Sequence, residues 1–314
     1  MKLKVCFYGM GSIGKRHFKN LLKIGKEQNI IFDIDIIKKR NELSEEIKKE
    51  IKNLYFNRED LASDYDIVFI VNPTSDHFET INYMKDRAKY MFIEKPIFNK
   101  SCLNLKSLKL NEEKCYIAAP LRYSGVFNTL KKVLKERKIY SVRVICSSYL
   151  PEWRPQQDYR EVYSAKKELG GGVSIDLIHE WDYLVELFGS PERIFNFQGK
   201  YSNLEIDSED ISIYIAKYKD KLLEIHLDYF GCESRREIEI FTELGTIKGD
   251  FYNKNINFSW NNEVLKMNEN EDIYIKEMEN FLNIIKGKKN NNTPSHAMKI
   301  LKLAEGENVN ESID

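Results

Sequence analysis

Lys4-Val5-Cys6-Phe7-Tyr8-Gly9-Met10-Gly11-Ser12-Ile13-Gly14-Lys15-Arg16-His17 carries a short apolar run into glycines spaced G-x-G-x-x-G, and a helical pattern, Ile13–Lys23, opens inside them. Strand, turn and helix in that order give the spacing its meaning. Gly9 permits a tight turn, Gly11 lets backbone approach a pyrophosphate, and Gly14 lets the helix pack on the strand. The amides of Ser12 and Ile13, at the helix start, supply an anion site. The segment predicts a dinucleotide-binding turn. Lys15, Arg16 and His17 read as the solvated continuation of its helix.

The same alternation runs on. Ile30–Ile37, Ile67–Val71, Tyr90–Ile93 and Cys115–Ala119 read as strands, with Leu43–Lys52, Asp76–Lys85 and Leu103–Leu110 as helices. Ile67-Val68-Phe69-Ile70-Val71 is wholly apolar, as a strand buried on both faces requires. Strands alternating with helices imply right-handed crossovers and a doubly wound parallel sheet. Residues 1–119 are therefore expected to form an α/β Rossmann domain.

After Pro120 the period changes. A helix (Val126–Glu136) and a strand (Tyr140–Ser148) lead into an irregular stretch, Tyr149–Leu169, and a helix after Gly170-Gly171-Gly172. Period-2 strands follow at Ile211–Tyr218, Leu223–Phe230, Glu237–Phe241 and Asn255–Trp260, then helices at Asp272–Lys286 and His296–Glu305. Residues 120–314 are expected to form an α+β domain with a largely antiparallel, open sheet. In that sheet the alternation predicts one face of isoleucine and leucine. Ser212, Tyr214, Ala216 and Tyr218, with Glu224, His226, Asp228 and Phe230, would form the other and pair with a second subunit in a dimer or tetramer.

Composition narrows the function. The chain has 314 residues, 49 Lys and Arg against 49 Asp and Glu, 42% hydrophobic and 31% charged residues, the balance of a globular protein. Zero net charge without a basic block argues against nucleic-acid binding, and no apolar run is long enough to span a membrane. Cys6, Cys102, Cys115, Cys146 and Cys232 are odd in number and lack C-x-x-C spacing, which suits reduced thiols in a cytoplasm.

The choice of dinucleotide rests on the end of the second strand. Asp33 and Asp35 lie about twenty residues beyond Gly14, where a ribose-binding acid is expected. The apolar run nevertheless continues through Ile36-Ile37 into Lys38-Lys39-Arg40. A strand ending at Ile37 presents cations suited to a 2′-phosphate, and one ending at Asp35 presents a carboxylate suited to a ribose diol. The first case, and NADP over NAD, is favoured.

Tyr90–Ile93 runs into Glu94-Lys95-Pro96, and ligands of such sheets bind beyond the carboxyl ends of the strands, so Lys95 is a candidate for the chemistry. Further on, Asp176, His179 and Asp182 are three apart, and on a continuous helix they would share a face. A carboxylate touching an imidazole fixes its tautomer and raises its basicity. A metal site is not expected, because H-E-x-x-H spacing is absent and no further His or Cys lies nearby.

Together these segments resemble the glucose–fructose oxidoreductase / inositol dehydrogenase / MocA-type family across nearly the whole chain. The resemblance rests on Gly9–Gly14, Asn72-Pro73-Thr74-Ser75-Asp76-His77, Glu94-Lys95-Pro96 and the Asp176/His179 segment, in that order. It implies hydride transfer between a nicotinamide cofactor and a sugar or cyclitol carbinol, with Lys95, His179 and Asp176 catalytic. Asp176 stands three residues before His179, where many members have four. Pro73 and Thr74 would line the nicotinamide, with Asn72, His77 and Glu94 beside it. Arg122, Tyr123, Trp153, Arg154, Arg160 and Glu180 are candidate substrate contacts. The segment around Trp153 is similar to a subgroup of bacterial surface-glycan biosynthesis, which implies an amino-sugar or nucleotide-sugar substrate. Two other functions stay open on such a chain: an NAD-dependent glycoside hydrolase and a non-catalytic dinucleotide-binding regulator.

Overall fold

The computed structural model describes residues 2–39, 43–267 and 272–308. They divide into two compact units, one of residues 2–120 and 272–298, the other of residues 121–267 and 299–308.

The first unit is a six-stranded parallel sheet. Its elements are β1 (Lys2–Tyr8), α1 (Ser12–Gln28), β2 (Ile31–Ile37), α2 (Glu45–Glu50), β3 (Asn53–Tyr55), β4 (Tyr65–Ile70), α3 (His77–Met84), β5 (Ala88–Ile93) and β6 (Cys115–Ile117), with strand order β3-β2-β1-β4-β5-β6. The order reverses between β1 and β4, where Tyr8 lies opposite Ile70, so the Gly9–Gly14 turn and the segment after Ile70 leave the sheet side by side. Ile67, Val68, Phe69 and Ile70 have no exposed surface, as their apolar run predicts. One reading fails locally, and one strand has no sequence signal. The segment Leu103–Leu110 forms only a 3₁₀ turn, Leu105–Leu108, because the Asn104 side chain caps Ser107 N and Lys109 takes a left-handed conformation. The edge strand β3 has three residues, too few for a period to show.

The second unit comprises α4 (Gly125–Val133), β7 (Ile139–Tyr149), α5 (Val173–Asp176), α6 (His179–Phe188), β8 (Arg193–Gly199), β9 (Ile211–Lys217), β10 (Leu222–Asp228), β11 (Phe230–Thr242), β12 (Gly245–Asp250), β13 (Asn255–Phe258) and β14 (Glu263–Lys266). Its strands form one sheet in the order β14-β13-β12-β11-β7-β10-β9-β8, antiparallel except where β10 runs beside β7. The register corrects the expected faces. Ala216, Tyr214 and Ser212 lie opposite Leu223, Ile225 and Leu227, and all six are fully buried. The outer face instead carries Ile213 beside His226 and Phe197, and Ile215 beside Glu224 and Phe195, with Phe197 74% exposed. Pairing opposes odd positions to even ones across this hairpin, so each strand's alternation is right and their combination is reversed.

Two helices, α7 (Ile273–Ile285) and α8 (Pro294–Ala304), follow. The sequence assigns both to the second domain, but residues 272–298 return to the first unit. Met278, Phe281 and Leu282 join Phe18, Phe69 and Phe92 in its core. Glu277 accepts hydrogen bonds from Tyr116 Oη at 3.1 Å and the Ala119 amide at 2.5 Å, and Asn292 donates to the Ile117 carbonyl at 2.8 Å. Such long-range polar contacts leave no local sequence signal. Among the described residues no helix is long and apolar enough to cross a membrane.

Candidate active site

In the first unit, Gly9 adopts φ +102°, and a Cβ there would stand 2.7 Å from the Asn72 amide nitrogen, so only glycine lets this turn lie against the loop after β4. Helix α1 starts at Ser12 with no side-chain cap and no acid in its first turn. Its leading amides and its dipole are therefore left for an anion, and the open space above Gly11 admits one. A dinucleotide pyrophosphate would fit this cradle, and Gly11, Ser12, Ile13 and Gly14 are the residues that would hold it.

Strand β2 ends at Ile37, whose carbonyl accepts the Gly9 amide at 2.9 Å. Asp35 lies inside the strand, 2% exposed, and its carboxylate accepts from Tyr65 Oη at 2.9 Å and Asn53 Nδ2 at 2.8 Å. It is a buried anchor rather than a ribose ligand, which corrects that candidate. Lys38 and Lys39 follow the strand end, Lys39 almost fully exposed and 3.6 Å from Asp76. Arg40 lies outside the described residues.

The loop after β4 is fastened from within. Asn72 Nδ2 donates to Thr80 Oγ1 at 2.8 Å, and Pro73 precedes a 3₁₀ turn, Thr74–Asp76. His77, expected beside the cofactor, has no exposed surface, and its ring nitrogens lie 3.1 Å from the carbonyls of Asn72, Pro96 and Ile97. It staples two loops together. Burial pushes its pKa down, against the pull of those carbonyls. Glu94 is buried too: one oxygen lies 2.5 Å from His17 Nε2, and the other accepts the Lys95 amide at 3.1 Å. Burial alone would raise its pKa, but His17 and Lys95 outweigh that and hold the carboxyl below its ordinary range. His17 itself, expected in solvent, is in the core beside Phe92. Lys95 follows β5, half-buried, and its bond to Pro96 is cis.

In the second unit the expected helix face is broken. Helix α5 stops at Asp176 and α6 starts at His179, so Asp176, His179 and Asp182 do not share one continuous helix. Asp176 is 5% exposed and accepts hydrogen bonds from Tyr163 Oη and, at 2.5 Å, Tyr229 Oη. These tyrosines were not visible as site residues, because each lies in a separate loop or strand end. Trp153 packs edge-on against Tyr229 at 5.3 Å, with Nε1 donating to Ser148 Oγ. Asp182 binds Arg122 through two contacts of 2.8 Å, and Glu186 adds a third at 3.4 Å. That buried pairing uses the Arg122 guanidinium inside the unit and corrects its reading as a substrate contact. Glu180 is likewise corrected: it has no exposed surface and lies 2.9 Å from Arg236 Nε. Arg160 is exposed and clamps Asp158 and Glu205, its charge lowering Asp158 to about 2. Arg154 lies over the Tyr163 ring and lines an open pocket of about 410 Å³ with Gln157 and Glu161, while Tyr123 is half-buried in the turn Pro120–Tyr123.

Residues 3–116 match the model of an oxidoreductase family with an NAD-binding Rossmann fold. The match is to the Gfo/Idh/MocA family and covers that Rossmann segment of the chain. An oxidoreductase from Thermotoga maritima superimposes at a TM-score of 0.82 with 20% identity, over 98% of this chain and 95% of its own. Levoglucosan dehydrogenase, in complex with NADH and levoglucosan, gives 0.81 with 15% identity over 98% and 96%. The WlbA dehydrogenase from Bordetella pertussis, in complex with NADH and UDP-GlcNAcA, gives 0.77 with 16% identity over 98% and 95%. At these identities the likeness is one of fold. No curated protein matches the chain.

A nicotinamide dinucleotide, when bound to such a Rossmann unit, would supply hydride chemistry, and the chain would have to hold that group and move a proton. The Gly9–Gly14 cradle has the open space and the uncapped helix start that holding it would need. Lys95 follows β5 in the first unit, and His179 heads α6 in the second.

Proposed function

We propose that the protein is an NADP-preferring sugar dehydrogenase or reductase acting on an amino sugar or nucleotide sugar. Lys95 hydrogen-bonds the reacting oxygen and stabilises its developing charge, and His179 takes the hydroxyl proton as the carbinol is oxidised. Asp176, gripped by two tyrosine hydroxyls, braces the segment that leads into His179. The observation that carries this reading is the Glu94-Lys95-Pro96 turn, at the carboxyl end of β5 in the sheet whose switch point forms the glycine cradle. Support for NADP is local: Asp35 is consumed by Tyr65 and Asn53, while Lys38 and Lys39 follow the strand end. Trp153, Arg154 and Tyr123 are proposed as substrate contacts. The outer sheet face around Phe195, Phe197, Ile213 and Ile215 is proposed to pair subunits into a cytoplasmic homo-oligomer.

A panel of nucleotide sugars and amino sugars with NADP and NAD, read at 340 nm, tests the reaction. Cofactor reduction with one of these sugars supports it. Release of an aglycone without net absorbance change would mean a glycoside hydrolase, and cofactor binding without turnover on any sugar would favour a regulator.

A further inference from the structure

His17 is a polar residue with no evident reason to be where it is. It sits on α1, the helix of the glycine cradle, in line with Gly14, Phe18 and Leu21, and it has no exposed surface. Its ring lies among Phe69, Phe92 and Tyr274 at centroid distances of 6.3, 4.8 and 6.0 Å. An apolar side chain would suit such surroundings better unless the imidazole has a task.

Its contacts define one. Nε2 lies 2.5 Å from Glu94 Oε1, and Nδ1 has no hydrogen-bond partner. A buried N–H without an acceptor is costly, so a ring N–H belongs on Nε2, facing Glu94. That N–H donates to the Glu94 carboxylate, which is held below its ordinary range. The other Glu94 oxygen receives the Lys95 amide at 3.1 Å, and the Lys95 ammonium acts on the same carboxylate.

We propose that His17 is a positioning residue for Lys95, acting through Glu94: from α1 it keeps the Glu94 carboxylate charged and aimed, and that carboxylate holds the Lys95 backbone and sustains its ammonium. The other ionisable groups around the pair are His77 on α3, which feels the Glu94 charge, and the Tyr274 phenol on α7. His77 is fixed by three carbonyls and so does not replace His17 as donor to Glu94, while the Tyr274 ring carries Arg16 at 3.9 Å. Without His17 the buried carboxyl takes up a proton, and Lys95 loses the charge beside it. The inference builds on the role proposed for Lys95, but its test reads the amine itself and needs no substrate, so a wrong role for Lys95 and a wrong role for His17 give different results.

Competitive acetylation of the full chain with acetic anhydride, followed residue by residue by mass spectrometry across pH, gives the midpoint at which Lys95 becomes reactive. Glu94→Gln and His17→Phe are expected to lower that midpoint by roughly one unit or more, as loss of an adjacent opposite charge does. His17→Gln, which restores an N–H near the position of Nε2, is expected to keep the wild-type midpoint. If His17→Phe alone does not fold, His17→Phe with Glu94→Gln, which leaves no buried charge, should match Glu94→Gln alone. An unchanged Lys95 midpoint in folded His17→Phe overturns the proposal. So does a drop in His17→Gln as large as in His17→Phe, or a further drop in the double variant beyond Glu94→Gln.

Discussion

A methyl group added to Gly11 would meet no atom within 4 Å, whereas one added to Gly171 would stand 2.2 Å from the Tyr163 carbonyl oxygen. At Gly172 the obstruction is Glu209, whose Oε1 would be 2.1 Å away. The two glycine-rich turns, one in each unit, read alike as sequence and are used differently. The first packs Gly9 against its own chain but leaves Gly11 and its helix amides open, whereas the second fills the space at both Gly171 and Gly172 with its own chain. Glycine reports that something comes close. Which thing comes close is set by segments far away in sequence, here the turn holding Tyr163 and the loop holding Glu209.

The contrast between the units can be broken most severely at their proposed catalytic residues. Lys95→Ala in the first and His179→Ala in the second are each expected to lower kcat at least ~10²-fold, about 2.7 kcal/mol of barrier, with cofactor affinity nearly unchanged. Asp176→Asn should be milder, since its amide oxygen still accepts from one tyrosine. Steady-state kinetics on the sugar found by the panel checks all three, and full turnover in either alanine variant contradicts the assignment.

The glycines sharpen the comparison next. Gly171→Ala forces methyl against backbone, and a loss of about 2–3 kcal/mol in unfolding free energy is expected by denaturant titration, with the cradle intact. Gly11→Ala should leave stability within about 0.5 kcal/mol and weaken NADPH binding at least ~10-fold, because the methyl occupies the space reserved for pyrophosphate. Equal stability loss in both would mean that the two turns are alike after all.

The smallest effect concerns acid. His77 is fully buried in the first unit, and its pKa is pushed below the ordinary 6.5. A group depressed on folding contributes stability that is complete above its ordinary value and lost as pH falls through its folded value. In the second unit burial raises Glu180 and Glu209 instead, so falling pH relieves them. As pH falls below 6.5 the first unit should lose stability by at most about 1.4 kcal/mol per unit of pH, ahead of the second. Hydrogen exchange of the two units compared at those pH values checks this, and earlier loss of the second unit would contradict it.

Much of the first unit was legible because a parallel sheet covered on both faces writes itself as apolar runs, and the Gly9–Gly14 turn is local. The end of β2 at Ile37 was legible for the same reason. The buried side of α1 carried a usable signal for His17, which follows Gly14 by three and precedes Leu21 by four, yet its neighbours Lys15 and Arg16 suggested solvent. The Asp176 clamp was not legible, since Tyr163 and Tyr229 reach it from 13 and 53 residues away. Nor was the return of α7 to the first unit, which depends on Glu277 meeting the end of β6. The sheet faces failed for a narrower reason: strand alternation is local, but register is a property of the pair.

Fluorescence titration of the wild-type protein with NADPH and with NADH tests most directly whether the first turn is a dinucleotide cradle whose flanking strand ends in cations. The account predicts saturable binding of both, with NADPH at least ~10-fold tighter, since each charge-assisted hydrogen bond from Lys38 or Lys39 to a 2′-phosphate is worth roughly 1.5–3 kcal/mol. NADH binding more tightly than NADPH, or neither binding at all, would contradict it.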